Sequence, residues 1–187
     1  MDYFIGDYHN GDSGCFIYDD RCKRFKNLEE MYDVIVENSN RVVSDDDNLY
    51  ILGDIGDIGI LSELKGNLII VAGNHDDVEA IRKQYPHIEV NTHPIMVGNL
   101  WLSHEPIGYM PVQCPYLNIH AHTHYMRYLG PGTTWDSGNR YFCCSVDQPY
   151  MDYSPVSLEQ IGYIIGYKKN SYMRIRPKSE RQKGYIQ

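Results

Sequence analysis

Residues 48–76, NLYILGDIGDIGILSELKGNLIIVAGNHD, contain two apolar runs that each end in polar side chains. Each run has at least four residues that favour β-structure and is bounded by Gly, Asn or Asp, which predicts a buried strand. The first strand runs into Asp54, and the second runs into Asn74 and His75. Between them, ILSELKG predicts a short helix that ends at Gly66. Strand, helix and strand together predict a βαβ unit.

Three further apolar runs end in the same way. YFIGDYH runs into Asp7 and His9, LWLSHEP runs into His104, and YLNIHAHTH runs into His122 and His124. The last run places histidines at alternate positions, which an extended strand would point to one face. If the strands are parallel, their carboxyl ends meet on one side of the sheet, where sites form in open α/β folds.

The remaining pattern predicts helices in the first half of the chain and strands in the second. NLEEMYDVIVENSN predicts a helix with Asn27 as its N-cap and Glu30 completing a capping box. DDVEAIRKQY predicts another helix, with acids in its first turn and bases in its last. After residue 90 we expect two strands around VGN, another strand in NRYFCCSVD, and a late short helix or edge segment in SPVSLEQIGYII. The fold class is therefore α/β, with two facing mixed sheets and flanking helices.

Composition narrows the class of protein. The chain has 187 residues, of which 42% are hydrophobic, and five cysteines that form no C-x-x-C pair. The sequence has no apolar run of transmembrane length. The motif that contains Asp7 and His9 begins at residue 7, with no basic leader before it. Together with the cysteine pattern, these features predict a cytoplasmic protein with no membrane association. We divide the chain into a domain at 1–167 and a basic tail at 168–187. We interpret the tail as a solvated terminus; the alternative is that the tail binds a phosphate-bearing partner.

The polar residues at the strand ends form a set that suits metal ions. Carboxylate, amide oxygen and imidazole ligands fit Mn²⁺, which we favour, with Fe, Zn²⁺, Co²⁺ and Ni²⁺ as alternatives. One catalytic ion needs fewer ligands, so the number fits two ions that share a carboxylate and hold a bridging hydroxide. The set consists of two aspartates, one asparagine and four histidines: Asp7, His9, Asp54, Asn74, His104, His122 and His124.

The order of these residues resembles the calcineurin-like metallophosphoesterases. That family has D-x-H, then G-D-x-x-D, then G-N-H-[DE], then an isolated H, then G-H-x-H. Five motifs in unbroken order are a specific signal, whereas D-x-H alone is common by chance. Here they occur as Asp7-Tyr8-His9, Gly53-Asp54-Ile55-Gly56-Asp57, Gly73-Asn74-His75-Asp76, His104 and Ala121-His122-Thr123-His124.

The resemblance implies a four-layer α/β/β/α sandwich and a role for each residue. His75 would be the general acid, oriented and charged by Asp57, and Asn74 and His75 would contact the substrate. His120 would be a supporting or core histidine. One ion would be held by Asp7, His9, Asp54 and His124, and the other by Asp54, Asn74, His104 and His122.

Two positions depart from the family pattern. Ala121 stands where glycine is usual, which is tolerable unless the backbone there needs a positive φ. Ile58 stands where the protein Ser/Thr phosphatases of this superfamily carry an arginine for the substrate phosphate. The second departure argues against a protein phosphatase of that branch.

Trp135 lies outside the motifs and could line the active site or pack within its loop.

The resemblance implies a dinuclear phosphohydrolase. Because the chain is short and has no evident capping domain, we interpret it as a phosphodiesterase acting on small phosphodiesters or nucleotides; nucleic acid is a less favoured substrate. A phosphomonoesterase is the alternative, and so is a non-catalytic binding module on the same fold. All the ligands and His75 are present, which favours an enzyme. The native metal, the ester and the oligomeric state stay open.

Overall fold

The computed structural model describes residues 1–108, 115–124 and 140–170. The predictions for Trp135 and for most of the basic tail fall outside these residues. The final helix crosses the predicted boundary between the domain and the tail. Within the described ranges, no helix combines the length and apolar character needed to cross a bilayer.

The strands form two mixed sheets, as the sequence predicts. The first has the order β4-β3-β2-β1-β9 and the second has the order β5-β6-β7-β8. In the first sheet β1 to β4 are parallel and β9 is antiparallel, whereas in the second sheet only β5 is antiparallel. The strands are β1 (Asp2–Ile5), β2 (Asn48–Ile51), β3 (Asn67–Val71), β4 (Glu89–Asn91), β5 (Ile95–Val97), β6 (Leu100–Leu102), β7 (Leu117–His120), β8 (Tyr141–Cys143) and β9 (Val156–Ser157).

Helices flank the sheets, which completes the predicted four-layer α/β/β/α sandwich. The C-terminal segment contains both a strand and a helix, where the sequence left the choice between them open. Between β2 and β3 the structure has a 3-10 turn at Ile58–Ser62 instead of the predicted helix, and Gly66 turns the chain into β3 with φ +93°. The α-helices are α1 (Ser13–Tyr18), α2 (Leu28–Val42), α3 (Val78–Gln84) and α4 (Leu158–Asn170).

Helix α2 begins where the sequence predicts. The Asn27 side chain accepts a hydrogen bond from the Glu30 backbone N–H at 2.8 Å. The carboxylate of Glu30 accepts from the Lys26 N–H, so the return bond of the capping box is displaced by one residue. Met31 and Ile35 are fully buried, so their spacing gives the helix its core-facing stripe.

Backbone hydrogen bonds join the two sheets next to the strand ends that carry the polar residues. Gly6, just after β1, accepts from the Val146 N–H and donates to the Cys144 carbonyl, both at 3.0 Å. A methyl group on Gly6 would lie only 2.6 Å from the Cβ of Ala121. Ala121 itself has a negative φ, so alanine fits where the family usually has glycine, and Gly6 supplies the space.

Candidate metal centre

The structure brings the predicted ligands together in two clusters. Asp7, His9 and His124 place one ligand atom each within 4.8 Å of one another. The second cluster consists of Asp54, His104 and His122 at the same spacing. Each set matches three of the four ligands that the resemblance assigns to one ion.

Asp54 connects the two clusters. Its Oδ2 lies 3.4 Å from His9 Nε2 and 3.3 Å from His104 Nε2. The predicted fourth member of the second set, Asn74, has its Oδ1 3.0 Å from His104 Nε2. His122 Nδ1 lies 3.1 Å from the same nitrogen. This geometry places Asp54 in the position of a shared carboxylate.

Left-handed backbone directs most of these side chains into the site. Few non-glycine residues adopt positive φ, and such residues concentrate at functional sites. Strand β7 ends at His120, so His122 and His124 reach the clusters through turns rather than by the alternation of an extended strand. The prediction that an extended strand would point these histidines to one face was therefore wrong. The ligands with positive φ are Asp7 (57°), His9 (44°), Asp54 (54°), His122 (65°) and His124 (46°).

Two buried ligand atoms fit a cation. In the described part of the chain, Asp7 Oδ1 and His9 Nε2 are buried and have no hydrogen-bond partner in the protein. Buried polar atoms are normally paired, because an unpaired one costs about 1–3 kcal/mol. Both atoms belong to the first cluster, so a divalent ion there would satisfy them together.

Burial governs the protonation of two ligands of the first cluster, Asp7 and His9. It raises the pKa of Asp7 to about 6 against the opposing charge of His124. It also lowers the pKa of His9 to about 4, with help from the charge of His124. His9 is therefore neutral at pH 7, which is the form that binds metal.

Hydrogen bonds and ion pairs dominate at two other ligands. Burial alone would raise the pKa of Asp54, but hydrogen bonds from the His104 ring and the His75 backbone lower it to about 2. Burial would lower the pKa of His124, but its hydrogen bond to Asp147 and the charge of Asp7 raise it to about 9. In the second cluster, burial and then the neighbouring His104 lower the pKa of His122.

Contacts from residues outside the clusters hold the ligands, and most of these contacts cannot be predicted from the sequence. Asp76 accepts from the backbone N–H groups of Asp54 at 2.9 Å and Gly73 at 2.8 Å. The His104 ring contacts the Leu52 carbonyl through Nδ1 at 2.8 Å, which leaves Nε2 facing the cluster. Ser145 donates to Asp7 Oδ2.

His75 lies beside the clusters but belongs to neither. Its backbone N–H donates to Asp54 Oδ1 at 2.9 Å, and its exposed ring meets the His9 ring edge-on at 5.4 Å between centroids. In the described part of the chain, the Asp57 carboxylate makes no hydrogen bond to His75; its Oδ1 accepts from the Gly59 N–H at 2.9 Å. The orientation of His75 by Asp57 therefore stays a prediction. His120 is buried, with its ring 6.3 Å from that of Tyr141.

Comparison with known proteins identifies the family. The family model for calcineurin-like phosphoesterases matches residues 3–161, so the chain belongs to that family. This confirms the resemblance seen in the motifs and identifies the chain, in general terms, as a metal-dependent phosphoester hydrolase.

Two proteins that are similar to this chain have no assigned activity, and a third shows only weak structural similarity. The uncharacterised protein MJ1445 of Methanocaldococcus jannaschii is 30% identical over 176 residues, which cover 87% of this chain and 90% of that protein. The crystal structure of a protein of unknown function, AQ665 from Aquifex aeolicus, superimposes with a TM-score of 0.67 at 26% identity, covering 88% of this chain and 98% of that chain. The nuclease MPE of Pseudomonas putida gives a TM-score of 0.37 at 19% identity, covering 66% of this chain and 60% of that chain.

Proposed function

We propose that the protein is a dinuclear phosphodiesterase for small phosphodiesters or nucleotides. The observation that carries this proposal is the pair of ligand clusters that meet at Asp54 Oδ2. Asp7, His9, Asp54 and His124 would hold one divalent ion, and Asp54, Asn74, His104 and His122 would hold the other. When bound, such ions neutralise phosphoryl charge and make a water acidic enough to attack. Mn²⁺ is the ion we favour for this mixed oxygen and nitrogen set.

In this proposal His75 donates a proton to the leaving oxygen. Two observations support that role: its ring is exposed next to His9, and it lies outside both ligand clusters. A general acid must reach the substrate from the open side without being occupied by metal. Asn74 is also exposed and would contact the phosphoryl group together with His75.

The surroundings favour a diester over a monoester. An open groove is lined in part by Asn10, which follows the ligand His9, and by three acidic residues, Glu29, Asp57 and Glu63. A phosphomonoester dianion is repelled more strongly by such carboxylates than a diester with one negative charge. Ile58 offers no cation where the protein phosphatases carry an arginine. The same acidic groove disfavours a long nucleic-acid strand.

Activity on a matched pair of substrates tests the proposal. Metal-stripped protein is assayed with bis(4-nitrophenyl) phosphate and 4-nitrophenyl phosphate, with Mn²⁺, Fe²⁺, Zn²⁺, Co²⁺ or Ni²⁺ added singly. We expect metal-dependent turnover with kcat/KM higher for the diester. A higher value for the monoester would assign a phosphatase. No turnover of either ester with any metal would favour a binding module.

The number of ions is tested separately. Metal analysis of reconstituted protein should find two ions per chain, because two clusters share one carboxylate. A single ion in fully active protein, with no gain when more metal is added, would contradict the dinuclear centre.

A further inference from the structure

A buried arginine lies directly behind one of the two ligand clusters. Arg21 lies in the 3-10 turn at Arg21–Lys23 that follows α1, and only 1% of it is exposed. Its guanidinium donates to the carbonyl of Asp7 at 2.9 Å and to the carbonyl of Tyr8 at 2.7 Å. It therefore holds the two consecutive backbone carbonyls that follow the Cα of the ligand Asp7.

The same guanidinium reaches a second ligand through a carboxylate. Arg21 is 3.2 Å from Asp147 Oδ2, and that oxygen lies 2.9 Å from His124 Nδ1. An arginine can only donate and an ionised carboxylate can only accept. Nδ1 of His124 also lies 3.3 Å from Arg21 Nη2 and 3.4 Å from Asp19 Oδ2, but its shortest contact is with the Asp147 carboxylate. In the neutral form of His124 that binds metal, Nδ1 therefore carries the proton that Asp147 receives, and Nε2 keeps its lone pair. Nε2 is the nitrogen on the side of Asp7, 4.0 Å from Asp7 Oδ2.

Packing alone does not explain why this charged pair is buried here. Burying a guanidinium and a carboxylate takes both charges out of water, and their pairing only offsets that cost, so apolar residues could fill the space at least as well. The contacts instead reach two ligands of the same cluster: the backbone of Asp7, which has a left-handed φ of 57°, and the ring of His124. Carboxylates that accept from metal-binding histidines fix ring orientation and raise metal affinity.

We propose that Arg21 and Asp147 are positioning residues for the metal ion held by Asp7, His9 and His124, and for that ion alone. The inference rests on the metal centre described under the proposed function. Arg21 sets the turn at Asp7, and Asp147 sets the orientation and tautomer of His124. Neither residue touches the cluster of Asp54, His104 and His122.

The chain offers a matched control for a purely structural tether. Arg24 forms an ion pair with Asp152, and its guanidinium carbon lies over the rings of Phe25 and Tyr153, 5.2 and 4.6 Å from their centroids. This pair joins the same two parts of the chain as Arg21 and Asp147. Among the described residues it contacts no ligand of either cluster, so Arg24→Met removes a partly exposed tether between the same segments without touching the metal site.

Calorimetric titration of metal-stripped protein with Mn²⁺ tests the proposal. The variants are Asp147→Asn, Asp147→Ala, Arg21→Lys and Arg21→Met, with Arg24→Met as the control. We expect two binding steps in the wild type and a loss of about 10- to 100-fold in one of them for Asp147→Ala and Arg21→Met. The near-isosteric Asp147→Asn should lose less, and Arg24→Met should bind both ions as the wild type does. Denaturant unfolding of each metal-free variant verifies that it is folded.

A double variant separates positioning from stability. If Asp147 acts through His124, then adding Asp147→Ala to His124→Ala should cause no further loss of Mn²⁺ affinity, whereas adding it to His122→Ala should cause the full loss. Equal weakening of both steps, or the same weakening in Arg24→Met, would overturn the proposal. A wild type that binds fewer than two ions would instead contradict the proposed function.

Discussion

Asp54 is the most constrained side chain in the candidate centre. Its Oδ2 faces a histidine of each cluster, and its Oδ1 accepts the His75 N–H at 2.9 Å. A Cβ on Gly73 would collide with this carboxylate, which explains the glycine that precedes Asn74. Asp7 also approaches the second cluster, but its Oδ1 is 3.9 Å from His104 Nδ1, whereas Asp54 Oδ2 lies within 3.4 Å of a histidine in each cluster. The charge of Asp54 should therefore matter to both ions.

We therefore predict that Asp54→Asn removes activity more completely than His122→Ala. Charge stabilisation by the metal centre is worth several kcal/mol, and each ~1.4 kcal/mol is tenfold in rate, so the loss should be about 10³-fold or more. Turnover of a diester with saturating Mn²⁺ measures it, and Asp45→Asn in the exposed loop is the control. If Asp54→Asn kept more turnover than His122→Ala, the shared-carboxylate assignment would be wrong.

His75 yields a prediction that separates proton donation from metal binding. We expect His75→Asn to retain both ions and to slow esters with basic leaving groups by about 10²- to 10⁴-fold. A nitrophenolate leaves with less help, so its ester should lose less. Rates on an alkyl and a nitrophenyl diester, with metal analysis of each sample, provide the comparison. The exposed His87→Asn should behave as the wild type.

Equal losses on the two esters, at full metal occupancy, would mean that His75 positions the phosphoryl group. The proton donor would then lie elsewhere. An additional Asp57→Asn variant with the same leaving-group profile would support the predicted link between Asp57 and His75, for which the structure shows no direct hydrogen bond.

The strand ends explain why so much of the candidate centre is predictable. An apolar run that stops at Asp or His can be recognised without any partner, and parallel pairing then gathers those ends. Arg21 and Asp147 could not be predicted in this way, because they lie 126 positions apart and nothing near either residue marks the pairing. Helix α1 was also missed, since its six residues include no buried one and so show no apolar period.

The turns beyond the strands follow different rules from the strands. Alternation predicted one face for His120, His122 and His124, but β7 ends at His120 and φ becomes positive at the other two. Such backbone depends on contacts distant in sequence, for example the Gln148 side chain that donates to the His124 carbonyl at 2.5 Å. A single sequence therefore indicates which residues form a turn more readily than it indicates which of them have positive φ.

The junction of β1 with the second sheet gives a packing prediction. Gly6→Ala should destabilise the protein by about 1–3 kcal/mol, because the new methyl would lie 2.6 Å from the Ala121 Cβ in a filled core. Adding Ala121→Gly should recover part of the loss, so the two changes should be non-additive. Denaturant unfolding of metal-free protein measures this. Gly162→Ala, which has open space around it, is the control.

If Gly6→Ala were as stable as the wild type, the close approach of the sheets at this point would be contradicted. Additive losses in the double variant would also count against it, since they would show that the two side chains do not meet.

Three ionisable groups with shifted pKa values lie where the two sheets of the molecule meet. Asp7 follows β1 of the first sheet, whereas His124 and Asp147 follow β7 and β8 of the second. Ion pairing across this junction links the protonation of the centre to the stability of the fold. A bound cation would replace protons here, so metal and pH should act on the same equilibrium.

We predict that the rise in melting temperature on adding Mn²⁺ increases between pH 6 and pH 8. In metal-free protein the pKa of His124 is raised to about 9. Its stabilising effect is therefore complete below its unfolded pKa of about 6.5 and is lost as the pH rises through 9. Asp7 acts at lower pH. Its pKa is raised to about 6, so ionising this buried carboxyl lowers the free energy of unfolding between about pH 4 and pH 6. Metal binding needs both groups deprotonated, so Mn²⁺ must displace the His124 proton throughout this range, and the free-energy cost of that displacement falls as the pH rises towards 9. Thermal unfolding with and without Mn²⁺ at several pH values measures the difference, and His124→Ala should flatten its slope. A metal-induced shift that is constant or falls with pH would show that His124 does not exchange its proton for a metal ion.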